Sequence, residues 1–167
     1  MYQVGEQVVY GVHGVCSIVD QEERTVDRKK ILYYVLEPRE QAGARFYVPA
    51  HNQAAVAKMR PVMTRQALET LLDSEEVRQD AWIEDENARK QCYRELISSG
   101  DRSRLISMVR TLRTRKKAQA AAGRKFHLCD ENFLRDAEKL LSSEFSMVLG
   151  LSQEELTAYV RRAVEGE

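Results

Sequence analysis

The sequence predicts two domains of different class, a small antiparallel β-barrel followed by an all-helical bundle. Short β-branched and aromatic runs, separated by Gly, Pro and charged turns, fill residues 4–62. After the polar stretch at residues 74–81, apolar residues recur at helical spacing. The polar stretch itself suits either a linker or the first turn of a long helix. Because 167 residues accommodate two small domains, we predict domains at 1–73 and 74–167.

Five short strands are predicted in the first domain. Pro38 and Pro49 help to end the third and fourth strands because proline has no N–H for the ladder. The segment Glu22–Lys30 is charged enough to form an exposed hairpin connection. Five strands in so short a stretch favour an SH3- or Tudor-like barrel. The predicted strands are Val8–Tyr10, Val15–Asp20, Ile31–Leu36, Arg45–Val48 and Met59–Val62.

A helix is predicted at the end of this domain, where Thr64 has the position and the side chain of an N-cap. It carries an apolar stripe formed by Ala67, Leu68, Leu71 and Leu72. A sheet of this size buries little by itself, so we expect the helix to pack on it.

The second domain is predicted to be a compact bundle with short connections. Aspartates and a Ser-x-x-Glu capping box indicate where helices begin, and glycines indicate where they end. In the second of these helices, Leu105, Val109 and Leu112 share one face. The predicted helices are Trp82–Ser98 closed by Gly100, one capped by Asp101, one capped by Asp130 and closed by Gly150, and one opened by the box Ser152 to Glu155.

Composition and motifs argue against an enzyme. Three cysteines lie far apart, so they suggest neither a disulfide framework nor a zinc site. The nucleotide-binding, zinc-protease and serine-hydrolase motifs are missing from the sequence. We therefore predict no catalytic residue, no metal, no cofactor and no small-molecule substrate. The scattered residues are Cys16, Cys92 and Cys129 with His13, His51 and His127.

No apolar run approaches the roughly 18 residues that span a membrane. The N-terminus has no basic region followed by an apolar one, as a secretory signal would have. A cytoplasmic protein without a membrane partner is the expectation. With 26 basic and 26 acidic residues the chain is neutral, which disfavours an indiscriminate polyanion binder. We expect a monomer.

One segment is nevertheless basic. From Arg102 to Lys125 there are nine basic residues and no acid. Arg110, Arg113 and Lys117 lie at i, i+3 and i+7, away from the apolar face of their predicted helix. Contact with nucleic-acid phosphates is the functional interpretation, and an ordinary solvated face is the alternative.

Trp82 is the other candidate binding residue. It is the only Trp, and Asp85 and Glu86 stand at i+3 and i+4, so we expect part of the ring to be exposed. An exposed aromatic ring near a basic surface can wedge between base steps or stack on an unpaired base. A core position remains the alternative.

Several motifs resemble the CarD/CdnL family of bacterial RNA-polymerase-binding transcription regulators. They are V-G-E-Q-V-V-Y, H-G-V, Y-Y-V-L and V-P-A-H-N within Val4–Val62, then Trp82, S-S-G-D and V-R-T-L. The first domain also resembles the polymerase-interacting module of transcription-repair coupling factors. The resemblance implies that this domain binds the polymerase β subunit. It implies that the helical domain contacts promoter DNA at the upstream edge of the bubble, with Trp82 in the minor groove. Such a regulator modulates open-complex stability largely without sequence preference.

The resemblance also implies particular polymerase-binding residues. Arg24 corresponds to the family's β-contacting Arg after the second strand. Tyr47 stands where the family has a second polymerase-contacting Arg, so packing and hydrogen bonding are retained but the charge is not. Arg45, two residues earlier, completes the predicted set.

On the DNA side the chain departs from the family. Glu84, Asp85 and Asn87 replace basic residues that usually follow the Trp, and the two carboxylates would repel phosphate. Arg89 and Lys90 lie about two helical turns after Trp82 and are predicted to compensate. Two alternatives stay open: an adaptor whose helical domain binds another protein and not DNA, and a nucleic-acid-binding protein that acts independently of polymerase.

Overall fold

A computed structural model describes residues 1–165 of the chain and leaves the last two residues undescribed. The chain divides into two compact units, Met1–Val62 and Met63–Glu167. The first is a β unit and the second is helical, which confirms the predicted fold class. Within the described residues, no helix is both long and apolar enough to cross a membrane.

The β unit is a five-stranded antiparallel sheet with the strand order β4-β3-β2-β1-β5. The predicted strands are all present, and the first three are longer than expected. A one-turn helix, α1, precedes β5. The bounds are β1 Gln7–Tyr10, β2 Val15–Val26, β3 Lys29–Pro38, β4 Phe46–Pro49, α1 Gln53–Val56 and β5 Met59–Pro61.

The predicted hairpin connection Glu22–Lys30 is wrong. Strand β2 continues to Val26 and β3 begins at Lys29, so only Asp27 and Arg28 turn the chain. Both have positive φ, 48° and 64°, which matches the twist of a two-residue hairpin turn. The charged residues of β2 are tolerated in a strand because this end of the hairpin is exposed.

One core cluster of the β unit consists of residues that alternate along the strands, and Val9, Val15 and Val35 at intervening positions are buried as well. The Tyr2 hydroxyl donates to the Met59 carbonyl at 2.8 Å, and the Tyr2 and Tyr34 rings meet edge to face. Burial raises the pKa of the Cys16 thiol to about 11. The buried residues of this cluster are Val8, Cys16, Ile18, Tyr34, Leu36, Val48 and Met59.

The helical unit follows the predicted stops and most of the predicted starts. Thr64 accepts from the Ala67 N–H at 3.1 Å and Asp101 from the Arg104 N–H at 3.3 Å, which confirms both caps. Gly100 and Gly150 end their helices with φ of 67° and 66°. The elements are α2 Arg65–Asp73, a 3-10 helix Glu75–Arg78, α3 Glu86–Ser99, α4 Arg102–Ala121, α5 Leu128–Leu149 and α6 Gln153–Glu165.

Helix α2 belongs to the helical unit. Leu68 and Leu72 are buried in one cluster with Phe145 of α5 and Leu156 of α6. The predicted domain boundary after residue 73 is therefore wrong, and the division lies between Val62 and Met63. The apolar stripe showed that this helix buries one face but not which surface covers it.

Helix α3 begins four residues later than predicted. Asp85 caps it by accepting from the Ala88 N–H at 2.8 Å, so Trp82 precedes the helix. The segment before α3 is fixed by side chains of the bundle. The Tyr93 hydroxyl donates to the Ala81 carbonyl, and the Ala81 N–H donates to Thr111 Oγ1, both at 2.9 Å.

The predicted cap at Asp130 is also wrong. Helix α5 begins at Leu128, with His127 at the cap position and without a capping side-chain hydrogen bond. Asp130 lies in the first turn, where it is buried. Both of its carboxylate oxygens accept hydrogen bonds from Arg89 of α3. This pairing explains why the Asp130 carboxylate does not cap the helix.

Candidate functional site

Arg24 and Tyr47 form an exposed pair on the β unit. The Arg24 guanidinium lies over the Tyr47 ring, 4.1 Å from its centroid. Arg24 Nε and Nη2 also donate to Glu22 Oε2 at 3.1 and 2.8 Å. The hydrogen bond to Glu22 is the main cause that raises the pKa of Arg24. Tyr47 remains 39% exposed, so the ring and the cation form one surface feature.

The strand register explains why these residues meet. Glu22 is opposite Tyr33 and Arg24 is opposite Ile31, while Tyr47 is opposite Val35 on the other side of β3. Residues opposite each other share one face of a sheet, and so do alternate residues along β3.

The structure thus brings together two of the three predicted polymerase-binding residues. Arg45 is exposed just before β4. The charge that the sequence lacks at Tyr47 is supplied by Arg24, which stacks on the ring. The spacing of 23 residues between the two gave no signal of this contact, because it depends on the three-strand register.

Two guanidinium groups stack on the Trp82 ring. Arg89 and Arg115 each lie 4.3 Å from the centroid of its ring. The ring is half-buried, in agreement with the predicted partial exposure. Its Nε1 is buried without a hydrogen-bond partner, while its backbone N–H donates to Asp80 Oδ1 at 2.9 Å.

Arg89 faces Trp82 as predicted, but it is a buried structural residue. Its Nε and Nη2 donate to the two Asp130 oxygens at 2.9 and 3.1 Å, and Nη1 donates to the Ile83 carbonyl at 3.0 Å. Burial lowers the pKa of Arg89, and the hydrogen bond and charge of Asp130 outweigh this and raise it overall. With 4% exposure, Arg89 is out of reach of a phosphate.

Of the two residues predicted to offset the repulsion of phosphate by Glu84 and Asp85, Lys90 is less buried than Arg89. Its Nζ lies 2.9 Å from Glu86 Oε1, one helical turn back. The pair raises the pKa of Lys90 and lowers that of Glu86, in both cases chiefly through their hydrogen bond. Glu84 and Asp85 are exposed close to Trp82 in the chain. The cations at this site therefore share it with carboxylates.

Carboxylates of α5 partly neutralise the basic segment of α4. Arg113 Nε lies 2.7 Å from Glu138 Oε1, and Lys116 Nζ lies 2.6 Å from Glu131 Oε1. The sequence contains no acid between residues 102 and 125. It gives no indication that α5 places carboxylates beside the basic residues of α4.

The predicted DNA-binding residues of α4, which are Arg110, Arg113 and Lys117, do not lie on the face of the helix that meets Trp82. Arg115 stacks on Trp82 on one face. Arg113 and Lys117 are each two residues away, about 200° around an α-helix. Together with Arg110 they line a groove of about 350 Å³ between α4 and α6. Arg113 and Lys117 therefore do not form a single surface with Trp82, whereas Arg110 also lines a small cavity with Arg115 and Asp80.

A larger open cavity of about 580 Å³ lies beside Trp82. Its lining mixes aromatic, aliphatic and polar side chains, among them Tyr93, Leu96, Cys92 and Ser107. Burial raises the pKa of Tyr93 to about 12. Across residues 1–165, no group of three or more His, Cys, Asp and Glu side chains is arranged to hold a metal ion.

Comparison with protein families matches both units. Residues 2–63 match the CarD-like/TRCF RID domain, and residues 66–161 match the CarD C-terminal domain. A comparison with curated proteins gives no match. The two family matches together cover nearly the whole chain, in the order in which the units occur. The chain therefore belongs to the CarD family, a family of transcription regulators that interact with RNA polymerase.

Proposed function

We propose that this protein binds the RNA polymerase β subunit through its β unit and contacts promoter DNA through its helical unit. The observation that carries the proposal is the exposed Arg24–Tyr47 pair, in a domain that belongs to a polymerase-interacting family. A guanidinium fixed on an aromatic ring loses less conformational entropy on binding than a free one. Bound in this way, a single copy modulates the stability of the open promoter complex.

Calorimetric titration with the β-subunit lobe of its own polymerase tests the first half. We expect Arg24→Glu to abolish measurable binding and Tyr47→Ala to weaken it, since Arg24 then loses its platform. Arg39→Glu is the matched control, because Arg39 is another exposed arginine of the β unit. Unchanged binding by Arg24→Glu would place the polymerase contact elsewhere.

The proposed DNA contact is centred on Trp82. Buried Arg89 and Arg115 each lie 4.3 Å from the ring centroid, so a minor-groove wedge would approach with cations already stacked on the ring. Lys90 supports phosphate contact from α3. The contact is largely independent of sequence, at the upstream edge of the bubble. Arg110, Arg113 and Lys117 are not accounted for by a contact at Trp82.

The lifetime of the open complex on a promoter of the same bacterium tests this half. A wedge that contributes about 1.4 kcal/mol changes the equilibrium tenfold. We expect Trp82→Ala to change the lifetime by about that factor and Trp82→Phe, which keeps a ring, to change it less. An unchanged lifetime in Trp82→Ala would exclude the wedge.

A second candidate function is an adaptor whose helical unit binds another protein. The observation in its favour is the set of carboxylates beside the cations, namely Glu84, Asp85, Glu131 and Glu138. The salt dependence of binding by the helical unit distinguishes a DNA contact from a protein contact. The logarithm of the DNA-binding constant falls linearly with the logarithm of the salt concentration, with a slope of about −0.9 per neutralised phosphate. A contact with another protein releases no condensed counterions from DNA, so we expect a shallower slope for an adaptor.

A further inference from the structure

The groove between α4 and α6 has an apolar floor. Ile106 and Val109 line it from α4, and Val160 and Val164 line it from α6. Next to it is a recess of about 60 Å³ that shares Ile106, Val109, Arg113 and Val160 with the groove. Its other lining residues are the apolar Leu141, Phe145 and Leu156 and the polar Glu138, Ser142, Gln153 and Thr157. The recess has room for the end of one aliphatic side chain.

The rim of the groove is cationic. None of the residues described as lining it carries a carboxylate. Arg113 and Lys116 are engaged with α5 acids, and Arg110 Nη1 donates to the Val77 carbonyl at 3.1 Å. Lys117 and Arg161 are exposed. The cationic residues of the rim are Arg110, Arg113, Lys116, Lys117 and Arg161.

This combination distinguishes the groove from a phosphate-binding surface. Phosphate contacts require cations and backbone N–H groups but no apolar floor. An apolar floor with a side-chain recess is the surface against which an amphipathic helix lays its apolar anchors, spaced at i, i+3, i+4 and i+7. Cations along the rim then favour carboxylates on the flanks of that helix.

We propose that the groove binds an acidic amphipathic helix of a partner protein. Its apolar anchors cover Val109 and Val160, one of them enters the recess, and its carboxylates face Lys117 and Arg161. The groove lies on the opposite face of α4 from Arg115 and Trp82, so its occupation does not compete with the proposed DNA contact. All the residues described as lining the groove belong to the helical unit.

Nuclear magnetic resonance of the full-length, nitrogen-15-labelled protein tests the proposal. The probe is a synthetic helical peptide with leucines along one face and glutamates elsewhere. We expect its addition to shift amide signals of α4 and α6 around Val109, Lys117 and Val160. Lys117→Glu should weaken peptide binding by about tenfold while the spectrum stays that of the folded protein. Arg104→Glu is the matched control, because Arg104 is an exposed arginine on the Trp82 face of α4.

Two further peptides distinguish the contribution of the apolar anchors from that of the carboxylates. A peptide with serines in place of the leucines and a peptide with lysines in place of the glutamates should both leave the groove signals unmoved. The proposal is overturned if the leucine–glutamate peptide causes no shifts, or if the serine peptide binds equally well. It is also overturned if a DNA duplex shifts these same signals, which would assign the groove to nucleic acid.

Discussion

Arg89 links three parts of the helical unit through one side chain. It pairs with Asp130 of α5, donates to the Ile83 carbonyl and stacks on Trp82. A buried ion pair contributes little net stability compared with apolar residues of the same size, but removal of one partner leaves an uncompensated buried charge. The position of Trp82 therefore depends on Asp130, a residue that does not touch it.

The first prediction concerns this pair. Asp130→Ala should lower the free energy of unfolding by about 3–5 kcal/mol, because Arg89 would remain buried without its counterion. Glu131→Ala, which removes the partly exposed pair with Lys116, should cost less than about 1 kcal/mol. Urea unfolding of both variants measures the difference. Equal effects would mean that Arg89 finds another partner or reaches water.

The second prediction concerns the thiols. The thiolate is the reactive form, and burial raises the pKa of Cys16 to about 11. At pH 8 the Cys16 thiolate is then about 100-fold scarcer than at the ordinary pKa, and the core also excludes reagent. Alkylation followed by mass spectrometry should label half-buried Cys92 and Cys129 well before Cys16. In urea all three should react alike, and rapid native labelling of Cys16 would contradict its burial.

At the scale of elements, local signals predicted helix ends well and packing poorly. Thr64, Asp101 and Gly100 act on backbone groups within a few residues, so their roles are visible in the sequence. The Arg89–Asp130 pair joins residues 41 apart. Its geometry depends on how α3 meets α5, and Asp130 therefore looked like a cap.

In the candidate site, too, local features were predictable from the sequence and contacts between elements were not. Partial exposure of Trp82 was predictable from its charged neighbours, and it is confirmed. The stacking of Arg115 on the ring and of Arg24 on Tyr47 was not predictable, since both depend on element packing. The start of α3 was misplaced because Asp85, and not an earlier residue, supplies its capping oxygen.

The third prediction concerns the capping box that opens α6. The Ser152 backbone N–H donates to the Glu155 carboxylate at 2.8 Å, and the Glu155 N–H donates back to the Ser152 hydroxyl. The backbone donor, followed by the Ser152 side chain, lowers the pKa of Glu155. The stabilising contribution is therefore present above the unfolded pKa and is lost as pH falls through the lower folded pKa.

Carbon chemical shifts of residues 152–156 measure this loss. We expect the first turn of α6 to lose helical character as the solution is acidified below about pH 4. In Glu155→Gln the side-chain amide oxygen still accepts a hydrogen bond but carries no titrating group. That variant should show no change over the same range, and a parallel change in it would assign the transition to another group.

At the scale of the whole molecule, the charges balance through contacts between helices. The basic segment of α4 lies beside Glu131, Glu138 and Glu144 of α5. Much of its charge is consequently used within the bundle. The remaining positive charge of this segment is divided between the face of α4 that meets Trp82 and the face that lines the groove. This division favours two partners of limited charge over one long polyanion.

The fourth prediction tests the division of the chain. Because Leu68 and Leu72 are buried in the helical core, a fragment 63–167 should unfold cooperatively. A fragment 74–167 should be less stable by about 3–6 kcal/mol, since each lost leucine contributes about 1.5–3 kcal/mol of burial. Thermal unfolding followed by circular dichroism compares the two. Equal stability would restore the boundary after residue 73.

The two guanidinium groups on Trp82 have an optical consequence. The chain has a single tryptophan, so its tryptophan fluorescence comes from one indole of known surroundings. A cation at 4.3 Å from the ring affects the energy of the excited indole, and Arg89 is fixed while Arg115 comes from a different helix. Movement of Arg115 away from the ring alters the emission directly. The protein thus carries its own spectroscopic reporter at the position where the proposed DNA contact would occur.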